Sequence, residues 1–554
     1  MIHSSASSFH LAIATAVSLA LFAIYKFSAK GSRLIRILSL TLCLMVVNFL
    51  IALNNSYVEP SQLQPPLLNS AVSDSLYDLN YKPFKVPAYS FIETHKELQN
   101  DFKCSQVQFE DNSNVQASQL FELNQPEDLK RIRKQVKQLS KTRSIYNLCF
   151  QDNDLSESEV LETKWFKFCG SSVWLDKYKV HFMVNRVVYT VAARRNSPTV
   201  SMLAGQVFDS DWNEIMDFRF PNSNLTFPTI LPHYIDPGKR DIKNVLGAED
   251  PRIILHEFTN NQGESDQEPI IVFNSRRSNI RWNRAMHIYR PLHDSYNIVM
   301  LNIKGKKRSF REKNWAPFMD SVNENKINFV YNFNPLRIIQ CDITSGQCEK
   351  VSGPDFNKNA NDNAGKLRGG TNIVKIPPHF LPEKLQSRYY WFGIARSHIE
   401  GCGCLHEVYR PHAFIISRPK EGLNFTLDYV SSLIDFNINP EPWHEQEGRC
   451  SDGKSVLIPN SIAYWDIDSV TNSNSIPTDY MGITFSEADK TNRIVHVKGW
   501  LSHILKTLDV DKHQLLHHYA DEKHIYYENQ LLGECATYLA QEYCQYSEKN
   551  MKWD

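Results

Sequence analysis

A chain of 554 residues, 42% hydrophobic and 22% charged, is long enough for one large domain or for two or three ordinary ones, and too apolar for wholesale disorder. Lys+Arg and Asp+Glu both total 61, so general attraction to nucleic acid or to an anionic membrane surface is excluded as a design feature. Any anion must be held by local clusters.

Residues 1–58 contain no Asp or Glu. Within them lie two apolar runs, Leu11–Tyr25 and Ile37–Leu53, separated by Lys26, Lys30, Arg33 and Arg36. A bilayer span takes roughly 20 apolar residues and about 17 at the least. Residues 37–53 are therefore expected to be a transmembrane signal anchor, with 1–36 a cytosolic tail or a first hydrophobic segment. No small-residue cleavage pattern follows, so the anchor is expected to stay. Positive charge remains cytosolic, which puts everything after Leu53 in the lumen. Ten of the 11 cysteines lie beyond the anchor, an even number that allows up to five disulfides of unassigned pairing. Asn54, Asn224 and Asn424 each open an N-x-S/T glycosylation acceptor. Together these features describe a type II membrane protein of the Golgi kind, with a luminal body.

Residues 54–100 carry Pro60, Pro65, Pro66, Pro83 and Pro87 among polar residues and read as a luminal stem. The body is expected at 101–554. Glu122–Ser140 has helical spacing and charge, as one surface helix. From there β signals dominate: 171–195 alternates and is rich in Val, Tyr and Phe, and short runs recur at Arg252–Phe258, Pro269–Phe273, Met286–Tyr289, Tyr296–Ile303, Ile327–Tyr331, Leu336–Asp342, Tyr389–Ile394, His412–Ser417, Ser455–Pro459 and Met481–Phe485. Many short strands separated by Asn, Gly, Asp and Pro argue for a sandwich, barrel or propeller. No repeat of 40–50 residues is visible, so a propeller would have divergent blades. Helical pattern returns only after 500.

The familiar catalytic motifs are absent: no G-x-S-x-G, no P-loop, no H-E-x-x-H and no G-x-G-x-x-G. "FDSDW" (208–212) contains Asp209 and Asp211, the D-x-D with which metal-dependent sugar-nucleotide enzymes hold a divalent cation. "VLGAEDPRIILHEF" (245–258) sets Glu249, Asp250 and Arg252 at the mouth of an expected strand, either as a solvated turn or as a site. From Asn274 to Lys313 follow Arg276, Arg277, Arg281, Arg284, Arg290, Lys304, Lys306, Lys307, Arg308, Arg311 and Lys313, many of them suited to solvated hairpin loops. A second basic group holds Arg368, Arg396, His398 and Arg410, with Gly369-Gly370 allowing close backbone approach. "CGCLHE" (402–407) is a zinc fragment or, in a lumen, a disulfide-bonded C-x-C. Arginine forks suit phosphate oxygens, each charge-assisted bond contributing ~1.5–3 kcal/mol. An acidic turn beside basic clusters is the contrast a sugar nucleotide needs: a carboxylate takes the proton of an attacking hydroxyl and cations hold the departing diphosphate.

Several segments in order, "GAEDPRI" (247–253), "EKNWAPF" (312–318), "FVYNFNPLRI" (329–338), "LRGGTNIV" (367–374), "YYWFGIARSH" (389–398), "VLIPNSIAYWD" (456–466) and "DYMGITFSEADKTNRIVHVKGW" (479–500), resemble the fungal β-mannosyltransferase family over most of the chain from about residue 100. E-D-P-R, K-N-W-x-P-F and S-E-A-D are also distantly similar to elements of the β-mannoside phosphorylases. The resemblance implies a mainly β fold, a five-bladed β-propeller-like catalytic domain with added helices after the anchor and stem. It implies GDP-mannose as donor, inversion, and β-1,2-mannose added to cell-wall mannan or another mannosylated glycan. Asp250 would be the base. Glu249 and Arg252 would position it or bind mannose, with Asp489, Asn314 and Trp315 as further sugar ligands. Arg276, Arg284, Lys313, Arg368, His398 and Arg410 become the diphosphate candidates. No cofactor is required; a divalent cation on Asp209 and Asp211 is the alternative. The rival readings are a luminal β-mannoside phosphorylase or hydrolase sharing Asp250, a metal-dependent transferase, and a lectin-like propeller.

Overall fold

The alternation read from 171–195 resolves into a hairpin, β1 (Trp165–Leu175) and β2 (Val180–Tyr189), to which β3 (Val200–Phe208) adds antiparallel to β2. A computed structural model gives the fold. It describes residues 74–89, 104, 109–110 and most of 114–545; the longer segments outside it are 238–244, 293–296, 357–365, 403–406, 442–455, 468–477 and 509–532. The expected anchor, 37–53, the segment before it and Asn54 lie outside the described residues. Among those described, no helix is long and apolar enough to cross a membrane.

Four more antiparallel groups follow in chain order. The second is β4 (Leu246–Thr259), β5 (Ser265–Arg276), β6 (Arg284–Tyr289) and β7 (Ile298–Met300). The third is β8 (Ala316–Phe318), β9 (Lys326–Phe333), β10 (Leu336–Asp342) and β11 (Gln347–Ser352). The fourth is β12 (Leu367–Gly370), β13 (Arg388–Glu400), β14 (Glu407–Pro419) and β15 (Thr426–Val430). The fifth is β16 (Leu457–Ile467), β17 (Asp479–Glu487) and β18 (Thr491–Lys498), completed on its outer side by Gln116–Ala117 and Lys82–Pro83 from the start of the body. The protein is mainly β.

The groups pack on one another in sequence, β4 on β1, β8 on β4, β12 on β9, β16 on β12, and β16 returns to β1. Side chains and backbone stitch these seams: Ser171 Oγ accepts from Ile253 N at 3.0 Å, Asn372 exchanges two bonds with Ile462, and Ser461 Oγ accepts from Ser172 N at 2.8 Å. Apolar cores fill the spaces between neighbouring groups. Val173, Phe182 and Leu203 meet Ile253, Ile271 and Phe273; Phe392, Ile394 and Ile415 meet Ile462, Ile483 and Val495; and Met183 and Phe208 meet Tyr464 and Ile494 across the closing seam. A strand covered on both faces has no solvent side, so β2 is buried at every position, its polar residues included. Each fully buried Val, Leu, Ile or Phe contributes about 1.5–3 kcal/mol.

Helices are peripheral. The expected Glu122–Ser140 helix is shorter, α1 (Asp128–Leu139), because Phe121–Glu122 pairs with β18 and Pro126 stands before the helix; it buries Ile132 and Val136. A capping box between Ser156 and Glu159 opens α2 (Glu157–Lys164). α3 (Trp500–Leu508) follows the fifth group. The helix at residues 533–545 is pinned by disulfides Cys104–Cys535 and Cys402–Cys544; a third, Cys341–Cys348, joins β10 to β11. Five disulfides are not formed, because Cys149 and Cys169 are buried free thiols. Residues 74–89, expected in the stem, pack onto the body: Phe84 lies 5.0 Å from Phe436, and Ser75 donates to Asp211 at 2.7 Å. The compact unit runs Ser70–Asp554.

Candidate active site

The E-D-P-R stretch does not precede its strand; it lies inside β4, which starts at Leu246. Glu249 pairs with Asn274 and Arg252 with Val272, so Asp250 and Pro251 form a bulge. Proline has no N–H for a ladder, and a bulge re-aims a side chain. Asp250 accordingly sits at φ 51°, in the left-handed region.

The other groups repeat this irregularity. Cys169 (φ 52°) stands at a register break in β1, Asn314 (φ 64°) just before β8, Gly370 (φ 134°) at a break in β12, and Asp489 (φ 50°) in the turn between β17 and β18. Left-handed backbone costs a side chain of order 1–3 kcal/mol and collects at functional sites. These five positions converge. The Cys169 thiol is within electrostatic reach of Asp250 and Asp489, Arg252 Nε donates to the Gly370 carbonyl, and Arg396 Nη2 donates to Asn314 Oδ1 at 2.8 Å. Gly369 and Gly370 permit the approach: a Cβ on Gly369 would lie 2.7 Å from the Asn314 carbonyl oxygen, and one on Gly370 2.0 Å from that of Ile394.

Arg186, in the middle of β2, forks onto the acidic pair, Nη1 to Asp250 Oδ1 and Nη2 to Glu249 Oε2, each at 3.0 Å. Arg284 takes the other Glu249 oxygen at 2.7 Å. Burial opposes the charge on Asp250, but Arg186 first, then Arg396, Lys313 and Arg252, hold its carboxyl well below the usual carboxylate range. Burial pushes Lys313 down to about 8, with Arg284 and Arg396 opposing the help of Asp250. Burial likewise raises the Cys169 thiol to about 11, aided by Asp250 and Asp489, so it is neutral at physiological pH. Arg186, Arg252, Arg284, Lys313 and Arg396 thus outnumber Glu249, Asp250 and Asp489, an excess that favours an anionic ligand.

Strand alternation sorts the second basic cluster. Arg368 pairs with Arg396, and His398 with Tyr409, so these side chains share one face of the fourth group. His398 stacks on Tyr409 at 4.6 Å, and the Tyr409 hydroxyl donates to Glu407 at 2.9 Å. Arg410, one residue on, faces the other way and lies 4.6 Å over the ring of Tyr543. It is not brought to Asp250. Arg276 backs the ring of Phe310 at 5.4 Å. Trp315 is a core residue, 3% exposed and packed on Phe329 and Tyr331, with no face for a sugar. Asp209 uses both carboxylate oxygens to close its own turn, on the backbone of Asp211 and on Asn213, while Asp211 accepts from Ser75. Among the described residues no cluster of His, Cys, Asp and Glu could hold a metal ion. Asn224 and Asn424 are exposed.

Sequence reasoning passed over Arg186 and Cys169. Arg186 had a signal, a lone guanidinium within the apolar run "VHFMVNRVVY". Cys169 had none.

A family model described as Beta-mannosyltransferases matches residues 103–293 and 291–543. Beta-mannosyltransferase 3 of Candida albicans is 52% identical over 477 residues, covering 86% of this chain and 83% of that protein. Beta-mannosyltransferase 2 of Komagataella phaffii is 34% identical over 390 residues, covering 69% of this chain and 58% of that protein. Among solved structures, the β-1,2-mannobiose phosphorylase of Listeria innocua, in complex with β-1,2-mannobiose, is similar over 62% of this chain and 92% of its own, at 10% identity and a TM-score of 0.35, too slight a likeness to argue from.

Proposed function

Because this chain belongs to the β-mannosyltransferase family, we propose that it moves mannose from GDP-mannose onto a mannan or other mannosylated acceptor, making a β-1,2 bond with inversion. The body is read as a five-bladed propeller in the Golgi lumen, held by the anchor at 37–53. The observation that carries the reading is the convergence of all five strand groups on Asp250, a carboxylate set among more cations than acids.

In this reading the acceptor oxygen attacks the anomeric carbon of mannose, directly opposite the diphosphate. The bond from that carbon to the phosphate oxygen breaks and its electron pair leaves with GDP. The hydroxyl proton passes to Asp250, directly or through a sugar hydroxyl. Lys313 and Arg396 at the centre, with Arg368 and His398 on the adjoining face, stabilise the charge that develops on the leaving group. Arg284 is committed to Glu249, Arg276 to Phe310 and Arg410 to Tyr543, so they leave the set of diphosphate ligands. Glu249 and Arg252 position Asp250; Asp489 and Asn314 are the sugar ligands.

The ionised state of Asp250 favours transfer over phosphorolysis or hydrolysis. Cleaving a β-mannoside needs a protonated carboxyl to donate to the leaving oxygen, and the cations around Asp250 keep it charged at neutral pH. An arriving diphosphate draws on the same cations and so raises the basicity of Asp250 when a base is needed. Incubating the full chain with GDP-mannose and a mannooligosaccharide tests the reading: GDP release with extension by a β-linked residue is expected, whereas phosphate-dependent shortening of β-mannosides, without GDP release, would overturn it.

A further inference from the structure

Phe310 is a large apolar side chain left open to solvent, 53% exposed. Its backbone is nevertheless held. Its carbonyl accepts from Arg284 N at 3.1 Å, and Arg311 bridges in parallel to Arg284, the residue that grips Glu249. Beneath the loop, buried Glu312 accepts from Lys306 Nζ at 2.8 Å, Ser309 N at 3.0 Å and the Tyr331 hydroxyl at 3.0 Å. Arg276 stands 5.4 Å from the centre of the Phe310 ring. The chain then runs from Phe310 to Lys313, beside Asp250; three residues of extended backbone reach about 10 Å.

An open ring backed by a guanidinium, on backbone bonded to the residue that grips Glu249, has a use in the transfer reaction. We infer that Phe310 is the platform of an acceptor subsite, stacking on the C–H face of a pyranose one or two residues back from the attacking hydroxyl. The inference rests on the transfer reading. The occupant is a sugar chain because the ring lies against Arg276, with the exposed Arg311 next in the chain, whereas a protein or a bilayer surface would need a contiguous apolar patch of hundreds of Å². A pyranose offers the matching alternation, an apolar C–H face for the ring bounded by hydroxyls that bond the exposed Arg311.

The test uses the full chain with Phe310→Ala and Phe310→Trp, acceptors of increasing length, and calorimetric binding of the same mannooligosaccharides without donor. Phe310→Ala is expected to raise KM and weaken binding for the longer acceptors by about fivefold to tenfold, the scale of one lost ring stack, with KM for GDP-mannose unchanged. Phe310→Trp restores the wild-type values. Equal oligosaccharide affinity in Phe310→Ala and wild type, or a matching rise in KM for the donor, overturns the platform. Failure of the transfer reading shows separately, as a wild type that releases no GDP with any mannoside; the binding comparison still decides the platform.

Discussion

Arg186 and Asp250 meet through one bond, Nη1 to Oδ1 at 3.0 Å, and the other amino group of the same guanidinium takes Glu249 at the same distance. One cation from the first strand group therefore fixes two adjacent acids on a bulge of the second. The fork leaves Asp250 Oδ2 outside that pair, the oxygen available to an acceptor hydroxyl in the proposed reaction.

Asp250→Asn should leave folding and secretion intact and lower turnover at least ~10²-fold, the scale of a lost general base. Asn is chosen because it tolerates the left-handed backbone that Asp250 adopts at φ 51°. GDP release and a thermal melt, side by side, decide it: wild-type turnover refutes the assignment.

Arg186→Met should do two things. It leaves Glu249 and Asp250 short of a buried partner, at a cost of about 3–5 kcal/mol read by denaturant titration. It also moves the acid side of the pH–stability curve. A carboxyl whose folded pKa is depressed contributes stability above the ordinary carboxyl pKa that is lost as pH falls through the folded value. With the largest depressing cation gone, the loss begins at higher pH. An acid limb that stays in place would show that Arg186 does not set the charge of Asp250.

Lys313 predicts an alkaline limb. Held at about 8, it is largely charged at neutral pH and loses its proton as pH rises through that value, so kcat/KM for GDP-mannose should fall there. Bound diphosphate favours the charged form, which places the limb in kcat at higher pH. Asp250 supports the charge of Lys313, so Asp250→Asn should shift the residual limb downward. For stability the sign is opposite. A lysine depressed from 10.5 to about 8 binds fewer protons folded than unfolded between those values, so its share of stability rises with pH across that window. A kcat/KM profile that stays flat from about pH 7 to about pH 9 would remove Lys313 from donor binding.

Gly370→Ala should be destabilising and nearly inactive. Its Cβ would fall 2.0 Å from the Ile394 carbonyl oxygen at φ 134°, and the shifted carbonyl would release Arg252. Backbone strain alone costs about 1–3 kcal/mol. Gly263→Ala, where a Cβ meets nothing within 4 Å despite φ 80°, separates the two contributions: only the strain should appear in its melting temperature.

What the residues themselves determined is the local part. Period-two alternation marked 171–195 and the later strands because a half-covered or doubly covered strand must alternate or stay apolar along its own length. The acid pair, the glycine pair and the arginines were visible as residue types, and E-D-P-R with S-E-A-D carried the resemblance that names Asp250. The sequence could not say that Asp250 rides on a bulge within β4, since a bulge is defined by the neighbouring strand's register. Nor could it separate Arg396 from Arg410: both are arginines on adjacent strands, and only the pairing of Ser397 with Arg410 turns one toward Asn314 and the other toward Tyr543. Trp315 was open to reading as a sugar ligand because aromatic rings serve both sugars and cores, and packing on Phe329 made it core. Ring closure decided the rest. Cys169, Arg186, Asp250, Lys313, Arg396 and Asp489 are far apart along the chain and meet only because five strand groups turn back on the first, so their mutual distances, and the charges those distances set, exist in the tertiary structure alone.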